Sequence, residues 1–75
     1  MTRTYAATID GNGRYVGWAS RADIDNNPAA FKGLTPVNFE VDVLDPLQPT
    51  AEEWEAIESG ARQAYDTWTL AQVAP

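Results

Sequence analysis

The stretch VNFEVDVLDPLQPTAEEWEAIESGA, residues 37–61, decides the fold because it holds a strand pattern and a helix pattern on either side of a break. Over residues 37–44, apolar and polar side chains alternate, which is typical of a strand with one buried and one solvated face. The segment DPLQP, residues 45–49, ends the strand because proline cannot donate a hydrogen bond to a sheet ladder. A helix is predicted to begin at Thr50.

The helix start carries a capping box, since Glu53 follows Thr50 by three residues. Gly60 lies in the middle of the helix, where glycine costs about 1 kcal/mol relative to alanine. We expect it to allow a close approach to the sheet. Apolar residues recur at spacings of three and four and form one stripe. That stripe consists of Trp54, Ile57, Ala61, Tyr65 and Trp68.

The N-terminal part predicts a hairpin. Residues 2–9 and 14–21 are strand-like, and Asn12-Gly13 between them is a strong signal for a type I′ turn. A two-residue loop at Asn12-Gly13 would pair Ile9 with Val16, and a four-residue loop would shift the pairs. Both give the same two faces, because side chains alternate along a strand. The core face is predicted to carry Tyr5, Ala7, Ile9, Val16 and Trp18. The outer face is predicted to carry Tyr15, Arg21, Glu40 and Asp42.

Residues 22–36 are predicted to be a long connection, with one helical turn between Pro28 and Gly33. Phe31 is expected to pack this connection onto the core. The order is strand, strand, strand, helix. This order predicts an α+β fold of one small domain, residues 1–75, in which a C-terminal helix covers one face of a three-stranded antiparallel sheet.

The composition limits which reactions the protein could catalyse and which ligands it could bind. The chain has no cysteine and no histidine, which excludes disulfides and removes the commonest metal ligand and general base. GNGRYV, residues 11–16, lacks the third small residue of a dinucleotide-binding loop. In DIDNNP, residues 23–28, Pro28 stands where a calcium loop needs glycine, and Leu34 stands where it needs glutamate. We therefore predict no catalytic residue, no metal and no cofactor, and a protein that is not an enzyme.

The distribution of charge along the chain is the remaining indication of function. The net charge is −6, and residues 33–61 hold seven acidic residues and no basic one. Helix-dipole stabilisation and an i,i+4 pair with Arg62 account for four of the acids, Glu52, Glu53, Glu55 and Glu58. They leave Glu40, Asp42 and Asp45 unexplained. Two interpretations stay open, a solvated face and a surface that binds a partner.

The acidic balance argues against direct binding to nucleic acid or to anionic membranes, and favours a basic partner. No apolar run reaches the roughly 18 residues of a membrane span, and no signal-peptide pattern is present, which predicts a cytoplasmic protein. A chain this short buries only about 60% of its unfolded surface, so a homodimer is a candidate way to gain stability.

Two resemblances follow from these features. The DGNGRYVGW hairpin, the third strand and the helix start of Thr50, Glu52 and Glu53 resemble HicB-type antitoxin domains, although the Pro-Asp-Leu-Pro-Gly type segment of that family is absent. In size, charge and lack of cysteine the chain is similar to acidic inhibitors encoded by phages, including anti-CRISPR proteins.

Both resemblances imply a non-enzymatic inhibitor that binds a basic surface. For the antitoxin, that surface would be on a small RNA-cleaving toxin. For the phage inhibitor, it would be on a nucleic-acid-handling complex in the cytoplasm of a bacterial host. A small structural domain with no partner for its acidic face is the third alternative. The predicted binding residues are Glu40, Asp42, Asp45, Glu52, Glu53 and Glu55, with Tyr15 as an exposed anchor.

Overall fold

A computed structural model of the chain describes residues 1–45 and 47–73. Within these residues the elements are β1 (Thr2–Ile9), β2 (Tyr15–Ser20), α1 (Arg21–Asn26), β3 (Thr35–Asp42) and α2 (Ala51–Val73). The strands form an antiparallel sheet in the order β2-β1-β3, and α2 packs on one of its faces. The predicted α+β architecture is confirmed.

Strand β1 lies in the centre of the sheet, and its residues 5–9 are all buried. Tyr5 belongs to the core beneath α2, so the alternation of a strand places Ala7 and Ile9 on that side as well. Thr8 faces the other way, and its hydroxyl donates to the Gly17 carbonyl at 2.9 Å. The one buried polar side chain in the described residues is therefore hydrogen-bonded.

The hairpin turn differs from the predicted type I′ turn. The Asp10 carbonyl accepts from the Gly13 amide at 3.0 Å, and the Asp10 carboxylate accepts from the amides of Asn12 and Arg14, both at 2.9 Å. Gly13 has a φ of 81°, whereas no described non-glycine residue has a positive φ. A type I′ turn needs a positive φ at both central positions, so the prediction at Asn12 is wrong. The carboxylate of Asp10 explains the difference, because it ties down the amides of the loop.

A register shift follows this turn. β1 and β2 pair in regular antiparallel fashion up to Thr8, and Ile9 then pairs with Tyr15, so that Val16 is an extra residue on β2. Such a bulge changes which side chains share a face. Trp18 keeps its predicted place at the core, but Val16 is 57% exposed. The prediction that Val16 belongs to the core face is therefore wrong.

The connection between β2 and β3 contains a helix in an unexpected place. The predicted turn at 28–33 is not helical, and α1 occupies Arg21–Asn26 instead. The Ser20 hydroxyl caps α1 by accepting from the Asp23 amide at 3.2 Å. Serine followed three residues later by an acidic residue is a recognisable helix start. The helix was missed because Pro28 gave a more familiar start signal further along the chain.

α1 and the turns after it cover part of the sheet face opposite α2. Ile24 is buried there, and it lines a small pocket together with Thr8, Phe31 and Leu34. Phe31 therefore packs on this second face, away from the core beneath α2. α2 therefore packs on one face of the sheet, and α1 with the turns after it covers part of the other.

Strand β3 shows the predicted alternation, with boundaries two residues earlier than expected. Val37, Phe39 and Val41 are partly buried, and the residues between them are exposed. The Val43 amide donates to the Met1 carbonyl at 2.8 Å, which extends the pairing one step beyond the strand. β3 is an edge strand, because only β1 pairs with it.

The core beneath α2 is built around Tyr5, Val43 and Ile57, against which Trp18, Phe39 and Val41 pack. The Tyr5 ring meets Trp18 edge-on, with centroids 5.7 Å apart, and stacks on Phe39 at 5.9 Å. Aromatic pairs of this kind contribute about 0.5–1.5 kcal/mol beyond the area they bury.

Helix α2 approaches β3 closely at Gly60, as predicted. A Cβ atom at this position would lie 2.8 Å from Cδ2 of Phe39. The stripe on α2 is confirmed at Ile57 and Ala61, which are fully buried, whereas the Trp54 side chain is 47% exposed. Position 60 therefore favours glycine, because the Phe39 ring occupies the space that a side chain would need.

Candidate protein-binding surface

Glu40 and Asp42 project from the exposed side of β3. Phe39 and Val41 face α2 at Gly60, so the alternation of the strand directs Glu40 and Asp42 away from the helix. Both are exposed. The Asp42 carboxylate accepts a hydrogen bond of 2.6 Å from the Thr2 hydroxyl, which fixes its orientation.

Asp45 lies in the connection between β3 and α2. Its carboxylate accepts from the Leu47 amide at 3.0 Å, and its carbonyl accepts from the Gln48 amide at 3.0 Å. These bonds make Asp45 the first residue of a turn. The side chain remains exposed, so the carboxylate still presents its charge to solvent.

Glu53 has a structural role. One carboxylate oxygen accepts from the Thr50 amide at 2.8 Å, and the other accepts from the Leu44 amide at 2.8 Å. The Thr50 hydroxyl in turn accepts from the Glu53 amide at 3.2 Å, which completes the predicted capping box. The hydrogen bonds from Thr50 and then Leu44 hold the pKa of Glu53 below its ordinary value of 4.5. Both oxygens are hydrogen-bonded inside the molecule, so the capping role accounts for Glu53, and we leave it out of the acidic surface defined below.

Glu52 and Glu55 are exposed on the first turns of α2. Within residues 1–45 and 47–73, the carboxylates of Glu52 and Glu55 accept no hydrogen bond and form no salt bridge. They lie on the helix layer, whereas Glu40 and Asp42 point away from it. The connection that carries Asp45 joins these two groups.

We call these five residues the acidic surface: Glu40, Asp42, Asp45, Glu52 and Glu55. Over the described part of the chain there is one salt bridge, between Arg21 and Asp25 at 3.3 Å, and it lies outside this surface. The predicted pair of Glu58 with Arg62 does not form a salt bridge. No basic side chain therefore neutralises the acidic surface by direct contact.

Tyr15 does not belong to the outer face, so its predicted orientation is wrong. Its ring lies 5.8 Å from that of Tyr65 on α2, and the Arg62 guanidinium sits over it at 5.4 Å from the centroid. Burial raises the pKa of the Tyr15 phenol above 10.0, Arg62 opposes the rise, and Glu58 adds to it. The bulge at Val16 causes the error, because it reverses the parity from which the orientation was inferred.

A groove that the sequence did not predict opens next to the connection that carries Asp45 and to the first turn of α2. It runs between the end of β2 and the start of α2, and the Trp18 and Trp54 rings meet in it with centroids 5.3 Å apart. Leu47 and Pro49 line it from the connection, and Leu47 is 88% exposed. Leu44, which is 87% exposed, lies in the same connection. Two signals were available. Leu44 is apolar at a position where the strand alternation calls for a polar residue, and Leu47 lies between Pro46 and Pro49, where no periodic pattern accounts for it.

Two charged side chains line this groove. Arg3 comes from β1, and Asp23 from α1. Their charges are opposite, so the interior of the groove carries no net charge of its own. The negative charge of this end of the molecule comes instead from the connection and the first turns of α2.

Comparisons of the chain with protein-family models, with curated proteins and with solved structures found no match. In the described residues, neither helix has the length and apolar character needed to cross a membrane. Within the same residues, no three carboxylates cluster closely enough to hold a metal ion.

Proposed function

We propose that the protein is a non-enzymatic inhibitor whose acidic surface covers a basic, nucleic-acid-binding surface of another protein or complex. The observation that carries this proposal is the lack of charge compensation. Residues 33–61 contain no basic residue, and none of the five carboxylates of the acidic surface is in a described salt bridge.

Electrostatics explains why such a surface would select a basic partner. Exposed charges of one sign raise the rate of association with the opposite sign, and dissolved salt screens the effect beyond about 8 Å at physiological ionic strength. Grooves that bind nucleic acid are lined by Lys and Arg that contact phosphates. A folded domain with uncompensated carboxylates can compete for those same side chains.

Two kinds of inhibitor use this chemistry. A phage-encoded inhibitor of the anti-CRISPR type would act in the cytoplasm of a bacterial host on a large nucleic-acid-handling complex. An antitoxin of the HicB type would act on a small basic RNA-cleaving toxin. The size and identity of the bound partner distinguish them.

The proposal is tested by capture followed by competition. The tagged protein is immobilised, a bacterial lysate is passed over it, and bound proteins are released by a salt gradient and identified by mass spectrometry. The captured protein is then purified and loaded with a fluorescent oligonucleotide, and the inhibitor is titrated in.

We expect release at moderate salt and displacement of the oligonucleotide in proportion to inhibitor bound. A captured protein that keeps its oligonucleotide while the inhibitor is bound would contradict nucleic-acid competition. Release that does not depend on salt would contradict the role of the acidic surface.

A further inference from the structure

The exposed apolar residues beside the acidic surface indicate more than electrostatic attraction. In the described chain the large apolar side chains that are exposed include Leu44, Leu47 and Trp54, and these three lie within one connection and one helix start. Apolar groups gathered at one place on a small domain, and rimmed by charge, are typical of a protein interface.

Hydrogen bonds hold the backbone at both exposed leucines. Glu53 holds the Leu44 amide, and Asp45 holds the Leu47 amide, both through their carboxylates. The Leu44 amide is thereby tied to the helix cap and the Leu47 amide to its own turn, while both leucine side chains remain in solvent. Backbone groups that are already hydrogen-bonded lower the entropy lost when a partner buries the side chains beside them.

Resting on the proposed function, we propose that the groove of Trp18, Trp54, Leu47 and Pro49, together with the exposed Leu44 of the same connection, receives the apolar side chains of a basic amphipathic segment of the partner protein. The Lys and Arg residues of that segment would meet Asp45, Glu52 and Glu55, which flank the groove in the sequence and are exposed. Charge complementarity selects this occupant.

The same charges disfavour a second copy of the chain, which would bring its own acidic surface against the first. They also disfavour an anionic lipid surface, which would repel the same carboxylates.

Two synthetic peptides of roughly 15 residues test the proposal, a length at which an isolated helix begins to be populated. One contains Lys and Leu at helical spacing, and the other has the same Lys positions with every Leu replaced by Ser. Binding is followed by tryptophan fluorescence, because Trp54 is 47% exposed and its emission shifts to the blue when it is covered. The free protein is also examined by analytical ultracentrifugation.

We expect the Lys–Leu peptide to bind about tenfold more tightly than the Lys–Ser peptide, the effect of burying about one leucine side chain. The double variant Leu44→Ser/Leu47→Ser should lose that difference and retain the weaker, salt-sensitive binding. Both leucines are almost fully exposed, so the fold should tolerate the change. Leu70→Ser is the matched control, since Leu70 is 68% exposed near the other end of α2.

The outcomes separate the two proposals. Equal affinity for both peptides, lost at high salt, overturns the groove proposal and leaves the acidic surface supported. No binding of either peptide at low salt overturns both. Dimerisation of the free protein that Leu44→Ser/Leu47→Ser abolishes would show that a second copy fills the groove, which also overturns this proposal.

Discussion

At the scale of single residues, Glu53 shows how hydrogen bonds within the molecule can account for an acidic residue without a binding role. Its two carboxylate oxygens accept from the amides of Thr50 and Leu44, which are nine residues or fewer from it in the chain. The sequence predicted the bond to Thr50 through the capping box. The bond to Leu44 depends on how the connection folds back, and no local pattern encodes that.

The low pKa of Glu53 predicts a dependence of stability on pH. A carboxyl group whose pKa is lower in the folded state stabilises the fold above its ordinary pKa, and this contribution is lost as the pH falls through the folded pKa. Glu53→Gln should therefore lower the urea midpoint above about pH 5, and the difference from wild type should shrink as the pH falls below the ordinary value of 4.5. Urea unfolding followed by circular dichroism at several pH values measures this.

Glu52→Gln is the control for this experiment. It removes the same charge from the neighbouring position of the same helical turn, where the side chain accepts no hydrogen bond within the described residues. A Glu52→Gln curve that changes with pH as strongly as that of Glu53→Gln would contradict the capping role.

At the scale of elements, the contact between α2 and β3 is governed by Gly60. The Phe39 ring fills the space beside the glycine, and it is held from its other side by stacking on Tyr5. A shift of the ring would therefore disturb its stacking on Tyr5, which is a core residue. The sequence predicted a close approach at Gly60, but the identity of the facing residue needed the register of β3.

Gly60→Ala is predicted to destabilise the protein, even though alanine is the better helix former by about 1 kcal/mol. A Cβ atom 2.8 Å from Phe39 forces the ring to shift, and overpacking of this kind costs about 1–3 kcal/mol. Chemical denaturation gives the free energy of unfolding directly. The double variant Gly60→Ala/Phe39→Leu should recover part of the loss, and an increase in stability for Gly60→Ala alone would contradict the packing described.

Among the described residues, one long-range hydrogen bond joins the hairpin to α2, and in it the Tyr65 hydroxyl donates to the Gly13 carbonyl at 2.7 Å. Tyr65→Phe keeps the ring contacts with Tyr15 and Trp68 and removes only this bond. We expect a loss of about 0.5–1.5 kcal/mol, measured by the shift of the urea midpoint. An unchanged midpoint would show that the turn does not depend on the helix.

The limits of prediction from sequence are visible in the same elements. The strand alternation of β3, the capping box and the stripe on α2 were predictable because each follows a periodic or local rule. The bulge at Val16 was not, since it depends on how the Asp10 carboxylate holds the turn. That one residue reversed the orientation of Tyr15 and removed it from the candidate surface.

At the scale of the whole molecule, the acidic residues divide between two layers. Glu40 and Asp42 lie on the sheet, facing away from the helix, and Glu52 and Glu55 lie on the helix. The connection with Asp45 runs from one layer to the other. Sequence alone placed these acids in one block, and the fold separates them into two groups. Glu40 and Asp42 lie on β3, at the sheet edge away from the groove, whereas Asp45, Glu52 and Glu55 lie within two residues of the groove residues Leu47 and Trp54 in the chain.

The measurement that tests the central claim most directly compares two charge reversals of equal size. Glu40→Lys changes the acidic surface, whereas Asp66→Lys makes the same charge change at an exposed site further along α2. Neither carboxylate takes part in a salt bridge among the residues described, so both variants should fold, which circular dichroism checks. The dissociation constant for the captured basic partner is then measured for wild type and both variants at low and moderate salt.

If the acidic surface binds the partner, Glu40→Lys should weaken binding about tenfold or more at low salt, and Asp66→Lys by less than about twofold. The gap between the variants should narrow as salt rises, because screening reduces the contribution of exposed charge. Equal effects of the two substitutions would show that only net charge matters, and would contradict a defined acidic binding surface.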